Sequence, residues 1–213
     1  MSIDVVVRSD FSKGKLLESD LAEDPFTQLR HWLDEVMAAA VSEFQAMSLA
    51  TATREGIPSV RIVYLRGVDP RGILFFTNYD SRKGVELADN PCAAALLYWK
   101  EFERQVRIEG TVVKASESDS DAYFAARPRE SCIGAWASLQ SQPLANRELL
   151  EQRTVEFETK FAGTPVHRPP NWGGYWLQPD SFEFWQGGAA RLHDRLIYRR
   201  QPDGAWCIER LFP

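Results

Sequence analysis

The chain has 213 residues, 44% hydrophobic and 26% charged, a composition suited to a soluble globular protein long enough to bury a core without staples. Its 25 Lys and Arg against 30 Asp and Glu leave a formal net charge of -5, which argues against a nucleic-acid partner but leaves room for a local basic pocket. Cys92, Cys132 and Cys207 lie far apart with no Cys-x-x-Cys, so neither a disulfide framework nor a zinc site is expected; they read as reduced thiols of a cytoplasmic protein, packed rather than reactive. The apolar run over 3–7 is too short for a signal-peptide core, and no stretch approaches the length of a membrane span.

Residues 1–23 are polar and aperiodic and are expected to form an arm. Asp24-Pro25 then opens a helix, with Asp as N-cap and Pro at the first helical position; Phe26, Leu29, Leu33, Val36, Met37 and Ala40 give it one apolar stripe. Short β-prone runs follow at 46–53, 59–66, 73–77, 92–99 and 103–115, separated by turn signals such as Asp69-Pro70-Arg71-Gly72 and Asn90-Pro91, with one short helix over 81–89 between them. The stretch 118–163 is helical again, broken at Arg127-Pro128 and stopped near Gly163. Strands return at 174–179, 181–186 and 191–200, and Pro202-Asp203-Gly204 turns the chain into a last strand over 205–211. The pattern predicts a single α+β domain over 24–213, mainly β, built on an antiparallel barrel.

Three places hold polar chemistry that a stable fold would not choose unaided. Ser81 reads as an N-cap, which puts Arg82 and Lys83 in the first helical turn, where the dipole disfavours cations; either both are solvated at a surface turn or an anion sits there. In Arg191-Leu192-His193-Asp194-Arg195, strand alternation would set Arg191, His193 and Arg195 on one face with Leu192 and Leu196 opposite: an exposed charged edge, or a ligand site. The preceding Phe184-Trp185-Gln186-Gly187-Gly188 suits a backbone bending close to a flat ligand. Third, Tyr123 and Arg127 share a helical face, and with Ser131 they offer the groups that hold a phosphate monoester; a surface Arg stacked on a Tyr is the plainer alternative. No metal-ligand cluster, nucleophile elbow, P-loop or G-x-G-x-x-G is present, so a cofactor must carry any reaction. Trp32, Trp136, Trp172 and Trp206 read as core or interface residues.

Taken in order, the motifs resemble those of the pyridoxine/pyridoxamine 5'-phosphate oxidase family over nearly the whole chain. They are Arg61-Ile62-Val63, Phe76-Thr77-Asn78 before Ser81-Arg82-Lys83, Glu103-Arg104-Gln105-Val106, Arg127-Pro128-Arg129-Glu130-Ser131, Ile133 to Ser138 with Gln140-Ser141, and the two segments from Phe184 to Arg195. The resemblance implies a split antiparallel β-barrel of FMN-binding type with flanking helices, working as a homodimer whose FMN clefts both subunits line. The positions matching cofactor contacts are Arg61, Ile62, Val63, Tyr64, Leu65, Arg66, Phe76, Thr77, Arg82, Lys83, Gln105, Gln140, Ser141, Trp185 and Arg195. Those matching substrate contacts are Arg8 and Phe11 from the arm, Arg66, Tyr123, Arg127, Ser131, Arg191, Leu192 and His193, with Arg191 and His193 as the catalytic pair. The implied reaction oxidises pyridoxine or pyridoxamine 5'-phosphate to pyridoxal 5'-phosphate, with dioxygen as acceptor and hydrogen peroxide as product. The chain departs from the family in having Arg66 where Lys is common, and Phe11 and Phe76 where Tyr is frequent. A phenazine-biosynthesis type of flavin oxidase, or a non-catalytic FMN or pyridoxal-phosphate binder, is the competing reading.

Overall fold

The computed structural model describes residues 10–213; Arg8 and the apolar run over 3–7 lie outside the described residues. Helix α1 (Pro25–Ala38) begins where its cap places it: the Asp24 carboxylate accepts from the N–H groups of Phe26 and Thr27, each at 3.0 Å. Phe26, Leu29 and Val36 face inward as their spacing predicts, but Met37 is 56% exposed and Trp32 takes an inward position instead.

Strands β1 (Ala46–Ala52), β2 (Pro58–Tyr64), β3 (Gly67–Asp69) and β4 (Gly72–Asn78) precede helix α2 (Arg82–Asp89); β5 (Cys92–Trp99) and β6 (Arg104–Lys114) follow. Strand β3 was not expected; it is three residues long and pairs with β4 across the turn at 69–72. The helical stretch divides into α3 (Glu117–Ala125), α4 (Arg129–Ala137) and α5 (Arg147–Lys160), so a second break at 138–146 joins the one at Pro128. The runs at 174–179 and 181–186 are one strand, β7 (Trp172–Gln186). It pairs with β4 up to Leu177 and with β8 (Asp194–Arg200) from Ser181 onward, and Pro179 falls between the two registers. Strand β9 (Trp206–Arg210) pairs with β8 through a turn in which Gly204 takes φ +87°. Among the described residues the sheet order is β2-β1-β5-β6-β7-β4-β3, with β8 on β7 and β9 on β8.

One expectation fails. The strand read over 191–200 begins only at Asp194, because Ala189–Arg191 form a single 3-10 turn in which Ala190 and Arg191 are left-handed, at φ 53° and 63°. Strand alternation therefore does not align Arg191, His193 and Arg195, and Leu192 is 72% exposed while Leu196 is fully buried. Cysteines 92 and 207 are exposed rather than packed; Cys132 is buried, its thiol turned to the Phe124 carbonyl at 3.3 Å.

The chain forms two compact units. One takes the chain up to Met47 with Ala95–Glu109 and Pro179–Pro213, and its core is aromatic: Phe26 meets Phe182 at 5.2 Å, and Trp32 meets Phe184 at 5.1 Å. The other comprises Ser48–Ala94 and Gly110–Gln178, where Leu49, Ile73, Phe75 and Leu177 are fully buried and Phe124, Cys132 and Trp172 make a satellite cluster. No helix among the described residues is long and apolar enough to cross a membrane.

The cap on α1 gives a direct check. Asp24→Ala removes the acceptor for two N–H groups and should lower stability by about 1 kcal/mol in denaturant titration; an unchanged midpoint would mean that packing alone fixes where the helix starts.

Candidate active site

The second unit encloses a cavity of about 400 Å³. Strand β2 contributes Ile62, Val63 and Tyr64 to its wall, with Arg66 just beyond; β4 contributes Phe76 and Thr77, and α2 contributes Lys83. From the helical side come Tyr123, Arg127, Ser131 and Gln140. The structure thus gathers in one place eleven residues that the sequence had assigned to either cofactor or substrate. Asn78, Pro128, Ala135, Ser138 and Trp172 complete the lining. Trp172 had read as a core or interface residue; it is buried with Phe124 and Cys132 and also lines the cavity.

Two buried cations define the chemistry of this cavity. Arg127 lies in the turn between α3 and α4, its guanidinium 4.7 Å over the Trp172 ring and 5.4 Å over Phe124. Among the described residues its Nη1 is buried with no hydrogen-bond partner, and burial lowers its pKa from the ordinary value. An unmatched buried N–H on a charged group costs about 1–3 kcal/mol or more, so the position asks for an anion. Phe76 lies parallel to Tyr123 at 3.9 Å and to Trp172 at 5.5 Å, and Trp172 is the ring that Arg127 covers.

The other cation is Lys83. Its ammonium donates to the Thr77 hydroxyl at 3.1 Å, the Ser81 hydroxyl at 3.3 Å and the Gln140 carbonyl at 3.0 Å, all neutral acceptors. Burial, with the neighbouring Arg61 charge, pushes its pKa down to about 8, against a smaller opposing pull from Glu86. Ser81 is the N-cap as expected, accepting from the Gly84 N–H. The close approach of α2 to Tyr79 requires Gly84, because a Cβ there would lie 2.1 Å from the Tyr79 carbonyl oxygen.

Arg61, Leu65, Arg82 and Ser141 belong to the same unit but do not line the cavity. Arg61 donates to the Leu49 carbonyl at 3.1 Å and the Thr51 hydroxyl at 2.6 Å, and Arg82 donates to Glu86 at 2.8 Å. Leu65 is buried, and Ser141 takes φ +71° in the loop after α4. Sequence reading missed Glu86, although its spacing of four from Arg82 on one helix was a usable signal.

The remaining assigned residues among those described lie in the first unit. Gln105 stands on β6. Trp185 and His193 have ring centroids 4.7 Å apart, and the Phe11 ring meets each edge-on at 5.5 Å. His193 Nδ1 accepts from the Gly188 N–H at 3.1 Å, which leaves Nε2 as the proton-bearing nitrogen of the neutral ring. Arg195 makes a two-pronged pair with Glu183, at 2.8 and 3.1 Å, and also donates to the Phe212 carbonyl. The glycine pair serves close approach as expected, but to protein: a Cβ on Gly187 would meet the Phe11 ring at 2.7 Å, and one on Gly188 the Leu192 carbonyl oxygen at 2.3 Å. Asp10 accepts from the Ala190 N–H at 3.0 Å, so the arm is tied to the turn that carries Arg191.

Comparison with known proteins agrees with this geometry. The family profile described as pyridoxamine 5'-phosphate oxidase matches residues 33–161, and that described as the pyridoxine 5'-phosphate oxidase C-terminal dimerisation region matches residues 172–213. The pyridoxine/pyridoxamine 5'-phosphate oxidase of Cupriavidus necator is 53% identical over 207 residues, 97% of each chain. Among solved structures, PhzG from Burkholderia lata 383, in complex with tetrahydrophenazine-1-carboxylic acid, superposes with a TM-score of 0.87 at 36% identity, covering 95% of this chain and 100% of the other. A pyridoxamine 5'-phosphate oxidase-related FMN-binding protein from Nostoc punctiforme shares the fold, with a TM-score of 0.70 at 17% identity over 91% of this chain and 100% of the other. The fold is a mainly β split barrel with flanking helices, and the protein is an FMN-dependent oxidoreductase. The chain belongs to the pyridoxine/pyridoxamine 5'-phosphate oxidase family.

The residues fit FMN on their own chemistry: a buried ammonium ringed by neutral oxygens, close to two guanidiniums, is a site for a phosphate. A cofactor phosphate held beside Lys83 would stabilise its ammonium and raise its pKa above the value near 8 that it has without one. FMN affinity would then be level around neutral pH and fall above pH 8, by up to about tenfold per pH unit. Fluorescence titrations between about pH 7 and 9.5 should show this alkaline slope, and Lys83→Met should remove it; a slope that survives in the variant would assign the titration to another group.

Proposed function

We propose that this protein oxidises pyridoxine 5'-phosphate and pyridoxamine 5'-phosphate to pyridoxal 5'-phosphate, with dioxygen as final acceptor and hydrogen peroxide as product. The observation that carries the choice of substrate is the buried, unmatched Nη1 of Arg127 in a cavity that also presents Tyr123, Ser131 and Arg66. A guanidinium fork, a phenol and a hydroxyl lining one cavity are the groups that would hold a phosphate monoester.

Lys83, with Arg61 and Arg82 nearby, would hold the phosphate of FMN, and the β2 residues Ile62 to Arg66, together with Phe76, Thr77, Gln140 and Ser141, would seat the rest of the cofactor. Gln105, Trp185 and Arg195 are assigned to the cofactor as well, and Arg8 and Phe11 to covering the substrate. When bound, FMN supplies the two-electron chemistry at the substrate's C4' and passes the electrons to dioxygen. Arg191 and His193 would steady the pyridine ring and its C4' substituent; the Gly188 N–H on Nδ1 leaves His193 Nε2 to face a substrate oxygen or nitrogen as a donor. The protein's share of catalysis is position and charge.

We assign residues 24–213 to one FMN-binding split-barrel domain with 1–23 as its arm, acting in the cytoplasm as a homodimer whose cofactor clefts both subunits line. The match of 172–213 to a dimerisation region supports the dimer. The likeness to PhzG favours a second reading, in which a ring carboxylate takes the place of the phosphate. The 53% identity to a relative named for the phosphorylated pyridines, against 36% to PhzG, favours the first.

Anaerobic mixing with pyridoxine 5'-phosphate should bleach the flavin band, and air should restore it with peroxide released. Bleaching by tetrahydrophenazine-1-carboxylic acid alone would transfer the assignment to the second reading. Arg127→Met should raise KM for pyridoxine 5'-phosphate by about a hundredfold, as expected for losing a charged hydrogen-bond pair, with FMN affinity unchanged. Arg191→Met should instead lower kcat by about a hundredfold or more; normal turnover in that variant would leave Arg191 a structural role only.

A further inference from the structure

Beside Lys83, at the place proposed for the cofactor phosphate, lies a residue of the wrong sign. Glu86 projects from α2, the helix whose first turn carries Arg82 and Lys83, and is only 5% exposed. A carboxylate there should repel a phosphate, and burying it unpaired would be costly. It is instead saturated. Its Oε2 accepts from the Thr51 hydroxyl, from the Ser59 hydroxyl at 2.5 Å and from Arg61 Nη2 at 3.4 Å, while Oε1 accepts from Arg82 Nε at 2.8 Å. The donors hold its pKa down to about 2, so it stays ionised at any working pH.

The two oxygens do different work. Oε2 is locked into β1 and β2 beside Arg61, which the Leu49 carbonyl and the two hydroxyls also hold. Oε1 reaches outward to Arg82, whose side chain is 58% exposed. A solvent-exposed arginine samples many rotamers, and a buried partner restricts that freedom. With Arg61, Arg82 and Lys83 as cations and Glu86 as the one anion of the cluster, the excess is two positive charges. A phosphate monoester carries about that charge with opposite sign at neutral pH.

We propose that Glu86 is the positioning residue of this pocket: it fixes Arg61 and Arg82 before the cofactor arrives and so makes the site selective for a flavin bearing a phosphate monoester. This rests on the assignment of Arg61, Arg82 and Lys83 to the FMN phosphate. Glu86→Gln keeps an acceptor for Thr51, Ser59 and Arg61 but turns an amide N–H₂ toward Arg82, so it should behave as a loss of Arg82 alone. Glu86→Ala frees both guanidiniums.

The test is titration of flavin-stripped, full-length protein with FMN and with riboflavin, which lacks the phosphate, alongside thermal melts. Glu86→Gln should weaken FMN by about ten- to a hundredfold, the range for a charged hydrogen bond, leave riboflavin affinity unchanged, and add almost nothing in an Arg82→Ala background. Glu86→Ala should weaken FMN further. Equal losses for FMN and riboflavin, or effects of Glu86→Gln and Arg82→Ala that multiply, would overturn the proposal and leave Glu86 a fold-stabilising residue. If Arg82→Ala and Lys83→Met weaken FMN while Glu86→Gln does not, the phosphate assignment survives and the positioning role falls. If neither cation variant affects FMN, the phosphate assignment itself fails and takes Glu86 with it.

Discussion

A buried guanidinium N–H with no acceptor is the constraint on which the rest of the second unit depends. Arg127 is held over the Trp172 ring, and Trp172 in turn closes a column with Phe76 and Tyr123. Those rings come from β7, β4 and α3, so the register of β4 against β7, in which Phe76 faces Gly174, governs where the guanidinium sits. A Cβ at position 174 would lie 2.9 Å from the Phe76 ring. The backbone has thus given up a side chain so that an aromatic face can be placed, and the face exists to carry a cation whose desolvation only an anion can offset.

The cations assigned to the cofactor phosphate, the substrate phosphate and Arg195 fall into two kinds. Arg61, Arg82 and Arg195 are matched to carboxylates: the first two share Glu86, and Arg195 grips Glu183 with both nitrogens. These are fixed before any ligand arrives, at the entropic and desolvation cost that buried pairs carry. Lys83 and Arg127 have no such match: neutral oxygens surround one, and ring faces the other. Their charged forms are the ones destabilised by burial, as the direction of both pKa shifts shows. Matched cations set shape, and unmatched cations set affinity for a negative charge. Such a division would let a chain of net charge -5 hold a phosphate ligand.

Much of this was legible in the sequence because it rests on local chemistry. The Asp24-Pro25 start, the Ser81 cap and the strand at 92–99 follow from cap preference and β-prone runs, and the structure keeps them. What failed did so for tertiary reasons. Alternation was applied to 191–195, but Ala190 and Arg191 are left-handed, a backbone choice that residue type does not announce in non-glycine residues. The continuity of β7 through Pro179 depends on a change of partner, which no single-strand pattern encodes. Trp172 read as a core or interface ring and Glu86 was not singled out, because the groups packed against them come from other elements.

The departures from the family's commoner residues can be weighed on the same terms. Phe11 lies edge-on to both Trp185 and His193, and the Gly187 backbone approaches its ring so closely that no side chain fits between. The arm is tied down beside it by main-chain bonds: Ser12 and Lys13 donate to the Glu103 carboxylate at 2.8 and 2.9 Å, and Leu16 donates to Asp194 at 3.0 Å. A ring held by edge-on contacts and by neighbouring backbone does not need a phenolic hydroxyl to stay in place. Phe76 likewise serves through its ring, which lies parallel to Tyr123 at 3.9 Å and to Trp172 at 5.5 Å, contacts that do not need a para hydroxyl. Arg66 is different in kind, because a planar fork above the Tyr64 and Tyr123 rings stacks where an ammonium would only point. In this cavity, where aromatic faces already set the geometry around Arg127, replacing a point charge by a second stacking cation extends an existing device.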